Sequence, residues 1–286
     1  MNRRSLSFTV GTAAAAGLIA AAFFAQSATA TPVSAGVPAV AKPTVVLVHG
    51  AWADSSSWKG VVSRLQNDGY PVVAPAVPLR GLASDAGYLS DYLKTIKGPI
   101  VLVGHSYGGS VITQAAAGNP QVDALVYVAA FAPDKGETAN GLATKFPGSH
   151  LSDDPNAVPP TALNAVPLDN GAQGVDLYIK PDKFRDVFLS NRVGAARAAE
   201  LAATQRPVTG QALNEPAGTP AWQGGTIPSW YLVAGDDHVI PPAAERFMAK
   251  RAGAHTVEVD APHDVMLTNP GTVTGLIKKA AQTTGH

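Results

Sequence analysis

Ser106 sits between Gly104 and Gly108 in the run Ile100-Val101-Leu102-Val103-Gly104-His105-Ser106-Tyr107-Gly108-Gly109. An apolar, β-branched stretch stops at Gly104, and a small-residue helical stretch begins just after Ser106. That is the sequence form of a strand, a sharp turn carrying one serine, and a helix. The turn is strained and tolerates no bulk two residues before or after the serine, hence Gly-x-Ser-x-Gly. It pushes the hydroxyl out above the sheet edge. The following helix aims its N-terminal amides and positive dipole end at the same point. The chemistry such a serine can perform is nucleophilic attack on a carbonyl.

A hydroxyl is a poor nucleophile at neutral pH, so it needs a base within hydrogen-bond reach and an acid to orient that base. Of the seven histidines, His49 and His105 flank strand-end turns and read as structural. His150 lies in a Pro- and Gly-rich stretch, and His238 follows the acids too closely to bend back to them. His255 precedes a strand on the opposite edge of the sheet. His263 follows a strand at its carboxyl end near the C-terminus and is the expected general base. Asp236 and Asp237 compete as orienting acid at a strand end. Asp237, four residues before Pro241, is favoured, and Asp236 reads as a turn or helix-capping residue. Asp264 is expected to cap or face solvent. The tetrahedral oxyanion needs donors where charge develops. The backbone N–H of Tyr107 is one, and the second is expected from the turn after the first strand, at Ala51 with Trp52 as the alternative.

These residues require elements to position them. Apolar runs at Thr44–Val48, Tyr70–Val77, Ile100–Val103, Ala124–Ala130, Ser229–Ala234 and Thr256–Val259 read as strands. Continuous rather than alternating hydrophobicity marks strands buried on both faces. Helical spacing at Trp58/Val61/Val62/Leu65 and Leu89/Tyr92/Leu93/Ile96 falls between them, and again near Pro242–Arg251 and at Val273/Ile277/Ala280. Alternating strands and helices predict an α/β fold, a doubly wound and mostly parallel sheet of about six strands. Ligands bind at the carboxyl ends of strands in such sheets. From about 139 to 225 the alternation breaks. Two helical stretches near Asp182–Ser190 and Gly194–Gln205, with no strands, suggest a helical cap over the site.

Composition narrows the function. The chain has 286 residues, 46% of them hydrophobic and 15% charged, with 21 basic and 21 acidic side chains. It can bury a large core, and it carries no electrostatic footprint for nucleic acid or anionic membrane. The absence of cysteine removes disulfides, thiol catalysis and thiolate metal sites. No His-Glu-x-x-His, carboxylate cluster or phosphate loop is legible, so neither metal nor cofactor is expected. Residues 1–30 read as a signal peptide: Arg3 and Arg4, an apolar stretch from Val10 to Ala25, and the small-x-small site Ala28-Thr29-Ala30. The paired arginines look like a twin-arginine signal. A secreted or periplasmic, bacterial-type protein follows, with residues 31–43 a linker and no stable membrane association after cleavage. The oligomeric state is not legible.

Five pieces together resemble the α/β-hydrolase superfamily: Leu47–Trp52, Val103–Gly109, Ala129–Asp134, Asp237–Pro241 and His263–Leu267. More closely they resemble its small-esterase branch, which contains plant methyl-ester hydrolases and hydroxynitrile lyases. The resemblance spans about 44–137 and 227–281, and implies a triad of Ser106, Asp237 and His263 with Ala51 and Tyr107 as oxyanion donors. Hydroxynitrile lyases of this branch place a lysine where Asp264 stands and a threonine where Gly50 stands, which disfavours cyanohydrin cleavage. Ser106 at the elbow argues against the aspartate-dependent dehalogenases and epoxide hydrolases and the cysteine-dependent dienelactone hydrolases. The expected function is a secreted serine carboxylesterase for small, fairly apolar esters. Acyl transfer or perhydrolysis on the same acyl-enzyme is the first alternative, and a non-catalytic ligand-binding protein the second.

Overall fold

The computed structural model describes residues 42–154, 156–168 and 174–283. The expected signal peptide and nearly all of the expected linker lie outside the described residues. The chain enters through β1 (Thr44–Val48), α1 (Lys59–Asn67), β2 (Val72–Val73), α2 (Leu82–Leu93), β3 (Ile100–Ser106), α3 (Tyr107–Ala115) and β4 (Val122–Ala130). An excursion follows: α4 (Ala139–Ala143), β5 (Leu163–Pro167), β6 (Val175–Ile179), α5 (Pro181–Val187), α6 (Ala195–Thr204), β7 (Val208–Thr209) and α7 (Gly210–Asn214). The alternation then resumes with β8 (Ser229–Ala234), α8 (Pro242–Arg251), β9 (His255–Val259), α9 (Val265–Thr268) and α10 (Pro270–Thr283).

The main sheet has six strands in the order β2-β1-β3-β4-β8-β9, every neighbouring pair parallel. Successive side chains of a strand face opposite sides, and the core divides accordingly. Val46, Val48, Leu102 and Tyr127 pack with Leu89 of α2, Val111 of α3 and Met248 of α8. Val45, Leu47, Val101 and Val103 pack with Val61 and Leu65 of α1 and Val273 and Ile277 of α10. Each such fully buried side chain stabilises the fold by about 1.5–3 kcal/mol relative to exposure. The doubly wound parallel sheet is therefore as expected.

Two local expectations are corrected. The strand anticipated over Tyr70–Val77 pairs only at Val72 and Val73, because Pro71 and Pro75 flank it and cannot donate to a ladder. The excursion, expected to be helical without strands, holds an antiparallel sheet in the order β5-β6-β7. Its helices α5 and α6 lie where the apolar spacing predicted them.

Candidate active site

The turn between β3 and α3 forces Ser106 to φ 52°, ψ −125°, a positive-φ conformation that a serine adopts only under constraint. Close packing explains its flanking glycines. A Cβ on Gly104 would stand 2.7 Å from the Gly108 carbonyl, and one on Gly108 would stand 2.5 Å from the carbonyl oxygen of Val48. Gly50 is constrained in the same way, since a Cβ there would lie 2.6 Å from Ser106 Cβ. Tyr107 opens α3, so its N–H has no partner within the helix. Its hydroxyl donates to Asp85 Oδ2 of α2 at 2.9 Å. Burial raises the Asp85 carboxyl, against the hydrogen bonds from Tyr107 and the backbone, and burial beside Asp85 raises the Tyr107 phenol strongly.

His263 and Asp237 are both buried and meet through a 2.5 Å hydrogen bond from Nδ1 to Oδ2. The other carboxylate oxygen of Asp237 accepts from Val239 N at 2.6 Å and Ile240 N at 2.8 Å. His263 Nδ1 therefore carries a proton, and Nε2 is left as an acceptor, buried and with no hydrogen-bond partner among the described residues. Asp236 lies apart from this pair. Its Oδ2 accepts from Arg192 Nε at 2.8 Å on the surface.

The remaining histidines divide between scaffold and surface. His49 Nε2 accepts from Val77 N at 2.9 Å, so its Nδ1–H donates to Gly50 O, and burial holds it below its usual pKa. His105, also lowered chiefly by burial, donates Nε2–H to the carbonyl of His263 at 3.0 Å. The residue before the serine thus ties the His263 loop to β3. Phe188, from the excursion, sets its ring edge-on to His263 at 5.1 Å. Asp264 stands at the N-cap of α9 but makes no side-chain cap hydrogen bond and is buried rather than facing solvent, and burial raises its carboxyl to about 6. His105 is structural, as expected, but sequence spacing gave no sign of the support supplied by Asp85 and Phe188, because each meets the site from a separate element.

Two cavities flank Trp52, whose indole N–H donates to Leu177 O at 3.0 Å. One of ≈ 20 Å³ lies at Ser106, between Ala51, Tyr107 and Phe131 of the main fold and Ala143, Leu151 and Leu213 of the excursion. The other, ≈ 350 Å³, is bounded by Phe188, Leu201, Asp264 and Met266 and does not include Ser106. Of the two, the smaller holds the strained serine and both expected oxyanion residues.

A parallel sheet of this order, with a glycine-flanked serine at a strand end and a histidine–carboxylate pair at two later strand ends, defines an α/β-hydrolase. Residues 45–275 match the family model described as the alpha/beta hydrolase family, and the chain belongs to that family. It is 31% identical over 238 residues to a pyrethroid hydrolase of Sphingobium wenxiniae, covering 76% of this chain and 79% of the relative. It is 25% identical over 265 residues to putative methylesterase 19 of Arabidopsis thaliana, covering 84% and 98%. Among solved structures, an extracellular alpha/beta-hydrolase from a Paenibacillus species superposes with a TM-score of 0.66 at 25% identity, covering 84% of this chain and 99% of that one. The chain is accordingly an ester hydrolase of this family's esterase branch.

Proposed function

We propose that the chain is an exported serine carboxylesterase acting on small, fairly apolar esters through Ser106, His263 and Asp237. The observations that carry this reading are the buried Asp237–His263 pair, which leaves Nε2 as an unpaired acceptor, and a serine held at positive φ at the end of β3. Ser106 Oγ attacks the ester carbonyl while His263 Nε2 takes its proton, and Asp237 stabilises the imidazolium. The tetrahedral oxyanion is held by the N–H groups of Tyr107 and Ala51. His263 then protonates the leaving alcohol, and water hydrolyses the acyl-enzyme by the same route. The excursion is read as a cap that supplies the apolar half of the cavity wall. The basic start, apolar stretch and Ala28-Thr29-Ala30 support export. Among the described residues, no helix is long and apolar enough to cross a membrane.

The test is hydrolysis of p-nitrophenyl esters combined with labelling by a serine-directed phosphonate. The expected outcome is an adduct on Ser106 and a loss of at least about 10³-fold in kcat for Ser106→Ala with an unchanged melting temperature. Full activity in Ser106→Ala would overturn the reading. The apolar lining also favours acyl transfer as a second reading, because it limits the water available to an acyl-enzyme. Release of a new ester in the presence of a competing alcohol distinguishes the two.

A further inference from the structure

Three side chains outside the Ser106 cavity converge on one point. His150, from the loop after α4, Asp186, in α5, and His238, from the loop after β8, each offer one ligand atom, and these atoms all lie within 4.8 Å of one another. His150 Nδ1 is 2.8 Å from Asp186 Oδ2, and His238 Nδ1 is 3.3 Å from Asp186 Oδ1. Two nitrogens and one oxygen of this kind suit zinc and its neighbours in the first transition row. Bonds of roughly 2.0–2.2 Å to a tetrahedral ion hold ligand atoms roughly 3.3–3.5 Å apart. The His238 Nδ1–Oδ1 spacing already fits, whereas His150 Nδ1 stands on the other carboxylate oxygen, so one oxygen serves both rings only after the carboxylate turns and His238 Nδ1 gives up its 3.1 Å contact to the Asp186 main-chain oxygen. All three side chains are partly exposed, so an ion can enter and retain water in a fourth position.

The surroundings support the donors as a built metal site would. The backbone N–H of His150 donates to the carbonyl of His238 at 2.8 Å, and the two rings lie 3.8 Å apart. The far ring nitrogen of His238 faces Asp236 Oδ1 at 3.6 Å. A metal-ligating histidine commonly gives its other N–H to a carboxylate, which fixes its tautomer and raises its basicity. Asn191 Nδ2 donates to Asp186 Oδ1 at 3.0 Å, holding that carboxylate in turn.

We propose that His150, Asp186 and His238 form a binding site for one divalent transition-metal ion, zinc or a similar cation, that clamps the excursion to the loop carrying Asp237. The clamp grips the cavity wall. Leu151 and Val239, the residues immediately after His150 and His238, both line the cavity at Ser106. Binding therefore stabilises the folded chain and fixes the separation of two side chains that limit the acyl group.

The test is calorimetric titration of the full chain with Zn²⁺ in a non-chelating buffer, with Co²⁺ absorption as a second readout of nitrogen ligation. The chain has no thiolate to compete. The expected result is one equivalent bound and a melting temperature that rises with Zn²⁺. His150→Phe, which keeps a ring against His238, and Asp186→Asn should each weaken binding on the order of tenfold or more. Melting without zinc checks that each variant folds, and His238→Gln replaces any that does not. No saturable binding, or unchanged affinity in the folded variants, overturns the proposal. Neither readout uses ester turnover, so failure of the metal site and failure of the esterase reading are distinguishable.

Discussion

Asp237 accepts three hydrogen bonds, from His263 Nδ1, Val239 N and Ile240 N. Two of them come from backbone that cannot turn away, so the carboxylate is locked in one orientation and fixes the tautomer of His263. An amide in its place offers only one acceptor oxygen. Asp237→Asn is therefore expected to lower kcat by about 10⁴-fold in steady-state ester hydrolysis while the chain stays folded. Asp264, one residue beyond the histidine, makes a prediction about pH rather than turnover. Its carboxyl ionises near 3.8 when unfolded and at about 6 in the fold, where burial disfavours the charge. The folded chain then binds more protons between those values, so this group makes stability fall as pH rises from about 4 to about 6. The gap of about two pH units corresponds to about 3 kcal/mol at most. Asp264→Asn should be more stable than the parent in urea melts at pH 8, with the difference closing by pH 4.

The elements divide by how much of their cause lies in adjacent residues. β1, β3, β4 and β8 were legible because a strand buried on both faces needs an unbroken apolar run, and the Gly-x-Ser-x-Gly turn needs its glycines wherever the chain occurs. The antiparallel strands of the excursion were not. β5 reads Leu163-Asn164-Ala165-Val166-Pro167, exposed after its first residue, with neither alternation nor an apolar run to mark it. The His150–Asp186–His238 cluster was equally hidden, since its members come from three segments joined only by folding. So was the link from the elbow to α2. Tyr107 OH donates to the buried Asp85 carboxylate, which also accepts from Arg80 N. Tyr107→Phe removes one partner from that carboxylate and should cost about 1–3 kcal/mol in chemical denaturation. The N–H proposed to hold the oxyanion belongs to the backbone of residue 107, so kcat is expected to change much less than in Asp237→Asn.

At the scale of the molecule, net charge is zero, so no net charge draws a charged substrate, and selection is read from the cavity walls. The main fold supplies the floor, with Ser106, Ala51 and Tyr107, and the excursion supplies Ala143, Leu151 and Leu213 opposite it. The ≈ 20 Å³ between them holds about one water-sized group, which favours a short acyl group. The larger cavity across Trp52 is separated from the serine by a side chain hydrogen-bonded to β6. On the proposed esterase reading, acyl length is the variable to test. Across p-nitrophenyl esters, kcat/KM should peak at acetate or propionate and fall with each further methylene. Each methylene that does not fit is worth about 1–3 kcal/mol, or roughly 10–200-fold. Leu213→Ala opens the wall from the excursion side without touching the floor. It should move the peak to butyrate or longer while phosphonate labelling of Ser106 stays unchanged. An optimum that stays at acetate in this variant would mean that the floor, and not the excursion, measures the acyl chain.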